Sequence, residues 1–206
     1  MQNAPKIYLI TPQTCELSFY GNALAKILDA KEIACLRLGL QSGDEDTIKR
    51  HLDNLRDEAH KRDVPVLIDT HYTLVDQMGI DGVHVTKPAR ELRKIRDEIG
   101  SDAVLGCHCR NSRHDGMTAG EIGADYVAFG PVSADALNPE VAEFSVFEWW
   151  SEMVEIPVVA EGNITEEDVS NLRHVVDFFA LGEEIWSRGD DAEGAIERIF
   201  SRLEAP

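Results

Sequence analysis

Cysteine is scarce in this chain, basic residues are outnumbered, and no long apolar run occurs. The four cysteines, Cys15, Cys35, Cys107 and Cys109, form no CxxC pair. They are too few for a disulfide framework, so the chain is expected in a reducing compartment, the cytoplasm. Lys and Arg number 20 against 38 Asp and Glu, a formal charge of -18. That balance excludes nucleic acid and anionic membrane as natural partners, because both reward basic patches. No stretch approaches the ~20 apolar residues that span a bilayer. The opening Met1-Gln2-Asn3-Ala4-Pro5 lacks the basic start and apolar core of a signal peptide. A protein that handles a small molecule is what remains, and 206 residues suffice for one substantial core, so one domain over 1–206 is expected.

What the chain does have is a regular alternation. Short, nearly all-apolar runs fall at 6–11, 33–38, 64–69, 82–85, 104–108, 126–129, 157–160 and 177–181, each long enough for a strand and too short for a helix. Between them lie helical stripes. The clearest runs from Asp44 through Ile48, Leu52, Leu55 and Ala59, with a charged opposite face; others are predicted over 23–30, 74–78 and 117–122, after Pro88, and through Phe147, Trp150 and Val154. Thr165-Glu166-Glu167-Asp168 reads as a capping-box start, and Ala195, Ile196, Ile199 and Leu203 close the chain as a last helix. Strands apolar on both faces imply a parallel sheet covered by helices, and eight of them imply a closed single (β/α)8 barrel. An open doubly wound sheet is the rival, and it usually uses fewer strands at this length.

In such barrels ligands bind at the C-terminal strand ends. The candidates there are Arg37, Asp69, His84, His108, Gly130, Glu161, Gly162, Asn163, Gly182 and Glu183. Arg37 ends an apolar strand, where an unpaired guanidinium is expensive; it must meet an anion, either a ligand or a protein group such as Asp69. Cys107-His108-Cys109 invites a zinc reading, but neighbours on a strand face opposite ways, so His108 does not share a centre with both thiols; buried structural cysteines fit better. For His84 an inward imidazole bonded to backbone is the plain expectation. Trp149 exceeds what one helical face needs, and is either a lone surface aromatic or a contact between copies in a homo-oligomer.

The stretch Gly123-Ala124-Asp125-Tyr126-Val127-Ala128-Phe129-Gly130-Pro131-Val132 resembles the GADYVGFGPV segment of the thiamine phosphate synthase/TenI family. Asp81-Gly82-Val83-His84-Val85 resembles the family's DGVHLG, and 157–164, PVVAEGNI, resembles PVVAIGGI. The resemblance covers nearly the whole chain. It implies a (β/α)8 barrel of thiamine biosynthesis and a transferase that joins hydroxymethylpyrimidine pyrophosphate to thiazole phosphate with Mg2+, releasing pyrophosphate. It also implies that Arg37 contacts pyrophosphate, as in the family's QLRxK motif, and that the loops at Gly162-Asn163 and Gly182-Glu183 cradle a phosphate.

The chain departs from that pattern at several places. Cys35 and Gly39 stand at the motif's glutamine and lysine. Asp69-Thr70 replaces Asn-Asp, and Thr86-Lys87-Pro88-Ala89 replaces the segment with the second magnesium carboxylate. Residues 133–138, SADALN, lack the family's FPTxTK threonines and lysine, and Pro131 stands where the tautomerase branch has its histidine. Glu161 and Glu183 bring carboxylates toward a would-be dianion, so either they point away or the ligand is no phosphate. Slow turnover in the family reaction is therefore predicted, and the alternatives are a non-catalytic barrel binding a thiamine-related metabolite or a new specificity built on Asp69, His84, His108 and Glu161.

Overall fold

In the computed structural model, which describes residues 4–86, 89–134 and 140–204, the alternation closes on itself. The strands are β1 Lys6–Ile10, β2 Ile33–Leu38, β3 Val66–Asp69, β4 Gly82–Val85, β5 Val104–His108, β6 Tyr126–Phe129, β7 Val158–Glu161 and β8 Phe178–Leu181. Each pairs in parallel with the next, and β8 returns to β1, so the barrel has no edge. The helices are α1 Ala25–Ala30, α2 Glu45–His60, α3 Leu74–Met78, α4 Ala89–Ile99, α5 Arg113–Ile122, α6 Phe144–Met153, α7 Glu166–Leu172, α8 Glu183–Trp186 and α9 Ala192–Glu204. No helix among the described residues is long and apolar enough to cross a membrane.

Local chemistry sets most boundaries. Asp44 caps α2 by accepting from the Thr47 amide at 3.1 Å, and the predicted stripe Ile48, Leu52, Leu55 and Ala59 is buried. Thr165 and Asp168 form the predicted capping box of α7. Gly79 and Gly123 end α3 and α5 in left-handed conformations that glycine adopts freely.

Several predicted limits move. The third strand starts at Val66 rather than Val64, and α5 starts at Arg113, four residues before the apolar stripe, because Ser112 caps it and accepts from the Asp115 amide at 3.1 Å. A π-helical turn, Tyr20–Leu24, precedes α1. Val154 is extended, outside α6. The short α8 was not predicted, and the helix start expected at Pro88 lies outside the described residues.

Two cores result. The larger lies between barrel and helices and takes Cys107, Cys109, Phe129, Phe147 and the fully buried Trp150, whose indole N–H donates to the Ile156 carbonyl at 2.8 Å. Trp149 has a partner within its own chain: the Arg113 guanidinium lies 5.0 Å over its ring.

The smaller core fills the barrel with Tyr8, Leu67, Tyr126, Ala128, Val159 and Ala180. At the barrel's N-terminal end one device recurs: Asp81, Asp125 and Asp177 each accept the first or second amide of the preceding strand, from Val66, Leu105 and Val158 at 2.7, 2.7 and 2.8 Å. This end is stitched for stability, which leaves the opposite mouth for ligands.

Candidate active site

Side chains alternate along a strand, so the interior positions of each strand recur every second residue. Counting on from Leu67, Tyr126 and Val159 inside the barrel, this rule carries Asp69, Ala128 and Glu161 into the next layer toward the C-terminal mouth. The contacts place Arg37, His84 and His108 in that layer as well. Arg37, with 5% of its side chain exposed, donates from Nη2 to Glu161 Oε1 at 2.5 Å and from Nη1 to Oε2 at 3.2 Å. Its Nε lies 3.2 Å from Asp69 Oδ1, an ion pair without hydrogen-bond alignment. The sequence left a ligand or a protein group such as Asp69 as the anion for Arg37; protein groups meet it, Asp69 and also Glu161.

Burial works against the charge on Arg37, but Glu161 outweighs it and holds the guanidinium firmly protonated. Burial likewise pushes Glu161 up, while Arg37 overrides it and sets the carboxyl well below the usual range. Asp69, with the less aligned contact, is pushed up to about 6 by burial.

His84 is fully buried, and its partner is not backbone, as the sequence suggested, but a side chain: Nδ1 lies 2.8 Å from the Tyr126 hydroxyl, which lies 2.9 Å from that of Tyr8. The glycine between them in the sheet permits this. Gly106 pairs with both His84 and Tyr126, and a Cβ on it would fall 2.0 Å from the Tyr126 ring. His84 Nε2 points at Glu161 Oε2 from 3.6 Å, and His108 Nδ1 from 4.0 Å; neither nitrogen has a hydrogen-bond partner. Burial lowers the pKa of both imidazoles, His84 strongly, so both are neutral at pH 7.

Above this layer opens a cavity of about 520 Å³, the size of a small-metabolite site. Arg37, Asp69, Glu161, Gly162, Asn163, Gly182 and Glu183 line it; His84, His108 and Gly130 do not. Gly130 has a packing role, since a Cβ there would lie 1.9 Å from the Glu161 carbonyl oxygen. Ile10, Leu38, Leu40, Ile48 and Ile68 supply an apolar wall. Thr70, Arg110 and Asn163 adopt left-handed backbone just after β3, β5 and β7, strain concentrated at this mouth.

The β7 and β8 loops hold the other notable feature. Glu184 accepts from the Ile164 amide through Oε1 at 3.1 Å and from the Gly182 amide through Oε2 at 2.8 Å. These are loop amides of the kind that cradle a phosphate in such barrels, and here a carboxylate of the same chain occupies them. Glu183 accepts from the Gln13 amide at 3.3 Å. Tyr8, Tyr126 and Glu184 were thus missed by sequence reasoning. The tyrosines lie within predicted strands, three residues before their ends, and nothing local marks either them or Glu184 as part of the site.

An oxygen-only magnesium site of the family's kind is not assembled from the described residues. Asp69 is engaged by Arg37, and Thr70 and Thr86 offer hydroxyls where the family pattern has carboxylates. Among the described residues, one group of three acid, imidazole or thiol side chains has ligand atoms within 4.8 Å of one another: His84, His108 and Glu161.

Comparison with known proteins gives a consistent picture. The family model described as thiamine monophosphate synthase matches residues 7–185. The chain is 37% identical over 185 residues to the thiamine-phosphate synthase of Rhodospirillum centenum, covering 88% of this chain and 89% of that one. It is 34% identical to the thiamine-phosphate synthase of Hyphomonas neptunium, covering 96% and 93%. In fold it is similar to the thiamine phosphate pyrophosphorylase from Pyrococcus furiosus, with a TM-score of 0.81 at 20% identity over 97% of this chain and 95% of that one.

Proposed function

The chain belongs to the thiamine monophosphate synthase family, and on that premise we propose that its C-terminal mouth joins hydroxymethylpyrimidine pyrophosphate to thiazole phosphate. The family match across residues 7–185 carries this reading. In the reaction the bond from the pyrimidine methylene carbon to the pyrophosphate oxygen breaks, and its electron pair leaves with pyrophosphate. The lone pair of the thiazole nitrogen forms the new C–N bond. No proton is transferred at that nitrogen, so the protein's task is to orient two rings and to stabilise a growing anion.

The cavity divides accordingly. Its apolar wall of Ile10, Leu38 and Ile68 suits the flat heterocycles, and Asp69 Oδ1, an acceptor without a hydrogen-bond partner, suits a ring amino group. Arg37 is the cation placed at the end of the interior, toward the leaving group. Its charge is shared with Glu161 and Asp69, and Ser133, near the family's missing threonines, donates instead to Asp168 at 3.0 Å. Each lost donor to a developing oxyanion costs roughly 3 kcal/mol, so the proposed reaction is slow. Magnesium in the family's manner does not fit the described residues, and no step is assigned to it.

The test is an assay of the purified chain with both substrates, reading thiamine phosphate. Product that requires both substrates and appears well below ~1 per second is expected. Absence of product from folded protein that still binds either substrate would make the chain a binding barrel instead.

A further inference from the structure

We propose that His84 Nε2, His108 Nδ1 and Glu161 Oε2 form a binding site for a divalent transition metal of borderline softness, with zinc as the reference ion. Two imidazoles and one carboxylate are a donor set for zinc, manganese or ferrous iron rather than magnesium. The site is defined by its own ligand atoms and is tested without substrate, so it stands or falls apart from the reaction proposed above.

The geometry is close to what an ion needs. Ligands bound to zinc at 2.0–2.1 Å in a tetrahedron lie ~3.3 Å from one another. Here the carboxylate oxygen stands 3.6 Å from His84 and 4.0 Å from His108, with all three atoms inside 4.8 Å. His108 ends its strand and keeps 20% of its side chain exposed, so it is the ligand free to close the remaining gap.

The two nitrogens are otherwise unexplained: both are buried acceptors or donors without a partner, a state folded proteins seldom leave unfilled. The outer contacts are those of a metal-bound imidazole. When His84 Nδ1–H donates to the Tyr126 oxygen and the Tyr126 hydroxyl donates to Tyr8, the Nε2 lone pair faces Glu161, and metal binding selects that tautomer. Arg37 need not leave: its shorter bond is to Oε1, and its 3.2 Å bond to Oε2 uses one lone pair of that oxygen and leaves the other for an ion. Glu161, the ligand that both imidazoles approach, also lines the cavity, so the site adjoins it.

The ion would also change the sign of the mouth. Arg37, Glu161 and Asp69 together carry one net negative charge when ionised, a poor setting for a pyrophosphate. A bound dication turns that into one net positive charge, and the same cavity becomes an anion receptor.

The experiment removes metal from the intact chain with a chelator and titrates Co2+ as a coloured stand-in. One equivalent should bind with visible ligand-field absorption, be displaced by stoichiometric Zn2+, and resist millimolar Mg2+. His108→Gln should weaken Zn2+ binding at least 100-fold while melting like the parent in chelator. X-ray absorption of the Zn2+-loaded parent should show two imidazoles and no sulfur, a readout that needs no variant. No stoichiometric uptake, unaltered affinity in His108→Gln, displacement by Mg2+, or a sulfur shell from the cysteines would each overturn the site.

Discussion

The two sides of the barrel mouth differ in what they leave unsatisfied. On the strand side, formed by the ends of β2 to β5, four buried polar atoms lack hydrogen-bond partners: Arg37 Nε, Asp69 Oδ1, His84 Nε2 and His108 Nδ1. On the loop side, after β7 and β8, the amides of Gly182 and Ile164 are both occupied by Glu184. A site that waits for ligand keeps its polar groups desolvated and unpaired, which is destabilising; a site that pairs its own groups is stable but closed. The contrast leaves the barrel interior with polar groups still to be paired and makes the loops self-sufficient. Glu161 joins the sides, because it stems from β7 and yet pairs with Arg37 of β2.

Removing that link should have the largest effect. Glu161→Gln leaves a guanidinium buried against a neutral group, and breaking a buried pair typically costs 3–5 kcal/mol. Asp69 remains beside Arg37, so about 3 kcal/mol at pH 7 is expected from urea unfolding. The pH dependence has a definite sign. The Glu161 carboxyl is depressed when folded, so its contribution is present above its ordinary value of 4.5 and fades as pH falls below it. The gap between parent and variant should therefore narrow in acid. A gap under 1 kcal/mol at pH 7, or one that stays constant to pH 3.5, would mean that Asp69 alone satisfies Arg37.

An intermediate effect should come from the hydroxyl chain beneath. Tyr126→Phe strips partners from both the Tyr8 hydroxyl and His84 Nδ1, each buried, and should cost about 1–3 kcal/mol. Tyr8→Phe leaves the Tyr126 to His84 bond intact and should cost less. Equal losses in the two variants would show that the chain of hydroxyls does not hold His84, and the strand side would lose its claim to a pre-oriented imidazole.

Much of the fold could be read from the sequence because it follows from period. Apolar runs of four to six residues gave eight strands, and their C-terminal ends marked Arg37, Asp69, His84, His108 and Glu161, which the structure brings into contact. Two-residue alternation correctly separated His108 from Cys107 and Cys109, which pack in the outer core. What escaped depends on pairs distant in sequence. Tyr126 reaches His84 because Gly106, on the strand between, has no side chain, and that is a property of register rather than of any local run. Helix α5 starts before its apolar stripe because a cap, not burial, begins it. Glu184 finds two amides from two different loops, and no motif encodes such a meeting.

That meeting gives the smallest expected change in stability and the sharpest test of the contrast. Glu184→Ala frees the Gly182 and Ile164 amides at a partly open cavity, where water can take them, so the loss should stay under about 1 kcal/mol. The gain is in binding. Two freed amides with a negative charge removed form a cradle for an anion, and a charge-assisted hydrogen bond is worth ~1.5–3 kcal/mol. Titration calorimetry with inorganic phosphate should then show at least about tenfold tighter binding to Glu184→Ala than to the parent. Glu184→Gln, which keeps an acceptor on the amides without the charge, should fall between. If the parent binds phosphate as well as Glu184→Ala does, the carboxylate yields to ligand without penalty, and the loop side is as open as the strand side.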